Sequence, residues 1–123
     1  MRLWYNSKGY TTPLHGDMTA IGVLHLTGRK RWAFADQHNI KNCYVKPNKR
    51  GHLYCGPDNP YNQKELSKTY PKFSRIKFTH VDATGGTMYA FPRKMIHFVH
   101  TFEPSFMVSF NFFSKDIDWP AAR

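Results

Sequence analysis

Between Arg75 and Phe113 the chain alternates strand-like runs with turn residues at intervals of seven to ten residues. Arg75 to Val81, Thr87 to Phe91, Ile96 to Phe102 and Phe106 to Phe113 alternate or concentrate apolar and aromatic side chains. They are divided by Asp82-Ala83-Thr84-Gly85-Gly86, Pro92-Arg93-Lys94 and Glu103-Pro104-Ser105, each rich in residues that turn a backbone. Runs this short cannot be core helices. Two further strands are predicted upstream, Thr19 to Thr27 and Arg29 to Ala35, with Gly28 as the turn of a hairpin between them, and a short strand and turn over Leu3 to Tyr10. Some seven short strands closed by such turns predict an all-β sandwich or barrel.

One segment breaks the pattern. From Asp36 to Tyr70 the sequence is polar and rich in Asn, Lys, Pro and Gly, and it reads as a long excursion outside the core. Asp58-Asn59-Pro60 offers a cap and a first-turn proline for one short helix over residues 61–68, stopped by Pro71. With 123 residues, 41% of them hydrophobic, the expected organisation is a single domain over 1–123 with an insert at about 36–74. No apolar stretch is long enough to span a bilayer as a helix, and the first residues lack the apolar core of a signal peptide. Cys43 and Cys55 have neither Cys-x-x-Cys nor zinc-finger spacing, so free thiols and a reducing, intracellular and cytoplasmic setting are expected.

Chemistry concentrates in Thr11-Thr12-Pro13-Leu14-His15-Gly16-Asp17. In an extended segment residues i and i+2 project to one face, so His15 and Asp17 can converge on one metal ion. The competing reading is a turn in which Asp17 caps a backbone amide. His97 is the best candidate for a third ligand; His100, three residues on, should face the other way. Two histidines and a carboxylate leave half of an octahedral ion open, as in non-haem Fe(II) oxygenases. Lys plus Arg number 18 against 8 Asp plus Glu, so the formal charge of +10 favours an anionic partner such as nucleic acid, or else marks a solvated basic surface.

Five motifs in order then resemble one family, the JmjC-like, cupin-fold oxygenases that depend on Fe(II) and 2-oxoglutarate, and within it the asparaginyl hydroxylase group. Thr12-Pro13-Leu14-His15-Gly16-Asp17 resembles "Thr-Pro-x-His-x-Asp". Gly28-Arg29-Lys30-Arg31 resembles "Gly-x-Lys-Arg", with Lys30 fifteen residues after His15. The stretch from Asp58-Asn59-Pro60 to Pro71-Lys72-Phe73 resembles the "Asn-Pro … Phe-Pro-x-Phe" insert. Gly86 to Pro92 and on to His97 resembles "Gly-Asp-x-Leu-x-Ile-Pro" with its histidine five residues later, and Val108 to Phe113 resembles the closing "Val-Asn-Phe-Trp" strand. The sequence departs from the family at Lys94-Met95-Ile96, where a tryptophan pair is usual, and at Thr87, where an acidic residue is usual.

The resemblance implies a double-stranded β-helix, the jelly-roll barrel of cupins. It implies that His15, Asp17 and His97 bind Fe(II), that Lys30 and Thr12 hold the distal carboxylate of 2-oxoglutarate, and that Asn111 lies near this cosubstrate. From the residues alone, Lys30 is equally one more solvated base, Asn111 a satisfied polar group, and His25 a buried structural histidine. The implied activity is a dioxygenase, a hydroxylase or demethylase of a protein or peptide side chain. The alternatives are a nucleic-acid-modifying oxygenase and a basic cupin-like module without catalysis. Barrels of this kind often pair, so a homodimer is an open expectation. The helical region that usually precedes such cores has no counterpart before Leu3, which suggests a minimal or truncated enzyme.

Overall fold

The computed structural model of the chain describes residues 1–46, 52–57 and 63–112. Seven strands follow in order: β1 (Arg2–Asn6), β2 (His15–Gly16), β3 (Ala20–Ala35), β4 (Leu53–Tyr54), β5 (Thr79–Thr84), β6 (Met88–Phe91) and β7 (Ile96–Phe112). One helix, α1 (Gln63–Thr69), and two 3-10 turns, Gln37–Asn42 and Pro71–Arg75, lie between β3 and β5. The expected cap Asp58-Asn59-Pro60 lies outside the described residues, as do Phe113 and Trp119. No helix among the described residues is long and apolar enough to cross a membrane.

Two long strands carry the architecture. β3 and β7 pair antiparallel over almost their whole lengths, from Ala20 with Phe112 to Ala35 with Ile96. Here the structure corrects two expected turns. Gly28 is not a hairpin and Glu103-Pro104-Ser105 does not end a strand; both strands run through, with register shifts between His25 and Lys30. Thr27 pairs with Phe106 and Arg29 with Glu103, so Gly28 faces both Pro104 and Ser105 in a β-bulge. Pro104 is tolerated there because a bulged residue owes no ladder hydrogen bond. Gly28 has φ +84°, and a Cβ on it would lie 2.3 Å from the Pro104 oxygen and 2.5 Å from Ser105 Cβ. Only glycine fits.

The bulge folds the sheet over on itself. One half contains β1, β6 and residues 20–27 and 105–112 of the long strands. The other runs β4-β2-β7-β3-β5 through residues 96–103 and 29–35. Their facing sides meet in one core in which Ile21, Val23, Phe91 and Met107 of the first half pack against Trp32, Ala83 and Val99 of the second. This is the all-β double-stranded β-helix implied by the motifs. β5 starts later than expected, at Thr79, and Asp82 to Thr84 still pair with Arg29 to Arg31, so the turn into β6 is confined to Gly85-Gly86.

The insert is also less detached than its polarity suggests. Its few apolar residues, Cys43, Cys55, Leu66, Phe73 and Ile76, form one core with Ala33, Ala35, Ile96 and Phe98 on the outer face of the second half. α1 ends at Thr69, before Tyr70 and Pro71, as the residue preceding a proline requires. Cys43 and Cys55 are both buried and free, and the hydrogen bond from Cys43 together with burial pushes the Cys55 thiol up, so Cys55 is not a reactive thiolate.

Candidate metal centre and anion pocket

β2 is only two residues long, yet it is fixed on both sides. His15 pairs with His97 of β7 and with Tyr54 of β4, whose ring stacks on the imidazole at 5.8 Å. The turn Pro92-Arg93-Lys94 feeds β7, and the Lys94 amide donates to the Asp17 carbonyl at 2.6 Å. As a result His15, Asp17 and His97 present ligand atoms within 4.8 Å of one another. Asp17 Oδ2 lies 3.8 Å from His15 Nε2 and 3.4 Å from His97 Nε2.

The proton positions follow from the partners. His15 Nδ1 is 2.8 Å from the Pro13 carbonyl and His97 Nδ1 is 2.9 Å from the Met95 carbonyl. A carbonyl only accepts, so both Nδ1 atoms carry a proton, and each ring presents its Nε2 to Asp17. Burial pushes the His97 imidazole down to about 4, with neighbouring His15 acting the same way and Asp17 opposing, so His97 is neutral. Two imidazole nitrogens and a carboxylate oxygen thus face one another. That set suits a divalent cation, and the carbonyl-anchored Nδ1 atoms are the outer contacts that metal-binding histidines use.

His52 joins this centre from a segment where the sequence gave no metal signal. Its Nδ1 donates to Asp17 Oδ1 at 2.9 Å, which leaves Oδ2 turned to the two histidines. His52 stands 35 residues from Asp17, beside the two-residue β4, and no spacing rule links them. His100 points away from the centre and bonds Thr11 Oγ1 at 2.6 Å.

Deeper in the barrel the same inner face carries Phe34, Trp32 and Lys30, opposite His97, Val99 and Thr101. Trp32 stacks on His97 at 5.8 Å, and Phe91 packs on it at 4.8 Å. The Trp32 indole donates at 3.1 Å to His25 Nε2, which Tyr89 also approaches at 3.3 Å. Burial, then Lys30, holds His25 down to about 4, so it is a neutral acceptor that fixes the indole.

Lys30 is the largest fully buried side chain, 1% exposed. Its Nζ contacts Asn6 Oδ1 at 2.5 Å and Met107 Sδ at 3.6 Å, and desolvation lowers its pKa to about 8. Neither contact is a carboxylate. A buried ammonium without a counter-ion costs several kcal/mol, so the Lys30 end of the barrel is suited to an anion. Lys30 pairs with Thr101, four residues along β7 from His97, roughly 13 Å at strand rise. A lysine side chain and a five-carbon dicarboxylate together can bridge that distance.

The remaining expected residues are placed differently. Thr12 exchanges hydrogen bonds with β7, its Oγ1 accepting from the Val99 amide at 2.9 Å. Asn111 lies on the inner-face row with Ser109, at the exposed end of β7, and donates to Thr19 Oγ1 at 3.1 Å.

No family model matches the chain. In sequence it is 29% identical over 119 residues to JmjC domain-containing protein C of Dictyostelium discoideum, covering 89% of this chain and 28% of that protein. The chain thus spans under a third of the length of this curated relative. In structure it resembles hydroquinone 1,2-dioxygenase from Sphingomonas, solved with 4-hydroxybenzoate bound, with TM-score 0.58 and 16% identity over 89% of this chain and 56% of the other. The JmjC-like resemblance is therefore found in sequence, and the cupin-like barrel in fold.

Proposed function

We propose, for a chain that is JmjC-like in sequence and cupin-like in fold, that it is an oxygenase core using Fe(II) and 2-oxoglutarate to hydroxylate or demethylate a side chain of a protein substrate. The observation that carries this is the convergence of His15, Asp17 and His97 with both Nδ1 atoms already committed to backbone carbonyls. Bound there, Fe(II) with 2-oxoglutarate supplies dioxygen activation and the oxidation of a substrate C–H bond.

The chain's own residues hold, orient and enclose. His15 and His97 offer their Nε2 atoms, and Asp17, oriented by His52, offers a carboxylate oxygen. Trp32, Phe34 and Phe91 pack their rings around His97 on the inner side and fix its orientation. Lys30 offers the positive charge for the far carboxylate of the cosubstrate. Its burial without a carboxylate partner supports that role.

The net charge of +10 favours nucleic acid as the second reading of the substrate. The test is Fe(II)-dependent release of succinate from 2-oxoglutarate, with peptide and oligonucleotide pools as the two substrate arms. Wild type is expected to release succinate and His15→Ala none. Equal release by His15→Ala would overturn the assignment, and salt-sensitive oligonucleotide binding without any release would make the chain a binding module.

A further inference from the structure

The surroundings of the buried Lys30 ammonium contain a second group that no motif marks. Ser105 is 0% exposed, and its Oγ is the one buried side-chain polar atom among the described residues without a hydrogen-bond partner. Leaving a buried hydroxyl unpaired is unfavourable, so its retention needs a reason. Its position supplies one. Ser105 pairs in register with Asn6, on the inner-face row that continues to Met107 and Ser109. Asn6 and Met107 are the two residues that Lys30 Nζ touches, so the orphaned hydroxyl belongs to a residue flanked by both partners of the buried ammonium and is not bonded to it. The bulge creates this placement, since Gly28 lets the Ser105 backbone come within 2.7 Å of where a Cβ would be.

We infer that Ser105 is the second holder of the anion, its hydroxyl donating to the same carboxylate that Lys30 neutralises, while Asn6 occupies the ammonium in the free protein. This rests on the cosubstrate reading above, in which the anion is the far end of a five-carbon dicarboxylate. Ser105 is therefore a binding and positioning residue at the end of the barrel away from the metal.

The test uses the metal-free protein and glutarate, a five-carbon dicarboxylate that lacks the keto group and cannot chelate, titrated calorimetrically. Ser105→Ala is expected to bind glutarate about tenfold more weakly than wild type, the loss of one hydrogen bond to a charged group. Its melting temperature without ligand should be equal to or above that of wild type, because an unpartnered hydroxyl is lost. Ser109→Ala, whose Oγ accepts from Trp4 Nε1 at 2.8 Å, is the control and should bind glutarate as wild type does.

Unchanged glutarate binding in Ser105→Ala would overturn the role of Ser105 and leave the cosubstrate reading standing. A marked fall in the melting temperature of Ser105→Ala would also overturn it, since that would reveal a structural bond. No glutarate binding by folded wild type would overturn this site, and if 2-oxoglutarate with Fe(II) also failed to bind, the cosubstrate reading would fall with it.

Discussion

At the metal end of the barrel each ligand is already anchored: His15 and His97 hold backbone carbonyls through Nδ1, and Asp17 Oδ1 is held by His52. At the deep end Lys30 has an amide oxygen and a thioether for company, and Ser105 has nothing. The two ends share β7, which carries both His97 and Ser105. One is preorganised so that a cation meets ready lone pairs, and the other keeps a charge and a donor unsatisfied so that an anion is favoured when it arrives. On the proposed reading, the difference would let a small barrel distinguish a metal from its cosubstrate without separate domains.

The largest effect should come from the metal end. Asp17→Ala removes the only carboxylate of the triad and should abolish succinate release while leaving the fold intact by circular dichroism. Gly28→Ala strikes the bulge that both ends share. A Cβ at φ +84° overlaps Pro104 and Ser105, and denaturant unfolding should show a loss of about 3 kcal/mol or more. Substitution of Lys30 should separate the two ends by sign: Lys30→Met removes an uncompensated buried charge, so the ligand-free protein should gain about 1–3 kcal/mol at neutral pH while glutarate binding is lost.

The pH dependence tests the same asymmetry. With its folded pKa lowered to about 8 from 10.5, Lys30 gives up its proton in the folded chain before the unfolded chain does. Between about pH 8 and 10.5 the unfolded state binds more protons, so stability should rise with pH, by up to about 3 kcal/mol relative to Lys30→Met. Its titratable neighbours do not mask this, because His25 is neutral above about 4 and burial raises Tyr89. Smallest is His52→Ala, which frees Asp17 Oδ1 and should weaken Fe(II) binding about tenfold without changing glutarate binding.

How much of this was legible in the sequence divides along the same line. His15 and Asp17 are local, two residues apart in an extended segment, and their convergence needs only strand geometry. Lys30 was legible through its family spacing, although its burial was not, since Gly28-Arg29-Lys30-Arg31 reads equally as a charged turn. Ser105 was hidden because Glu103-Pro104-Ser105 carries strong turn signals, as Gly28 does. Each signal taken alone ends a strand; opposite one another they make a bulge, and only the pairing of β3 with β7 decides between the two outcomes. His52 and Asn6 contribute through contacts 35 and 24 residues away in sequence, beyond any periodicity.

On the proposed reading one barrel takes Fe(II) at His15, Asp17 and His97 and 2-oxoglutarate between that site and Lys30. Anaerobic addition of Fe(II) and then 2-oxoglutarate, followed by visible absorption, tests it most directly. A charge-transfer band is expected in wild type, absent in His15→Ala and needing a higher 2-oxoglutarate concentration in Lys30→Met. No band in folded wild-type protein, or a band of equal strength in His15→Ala, would contradict it.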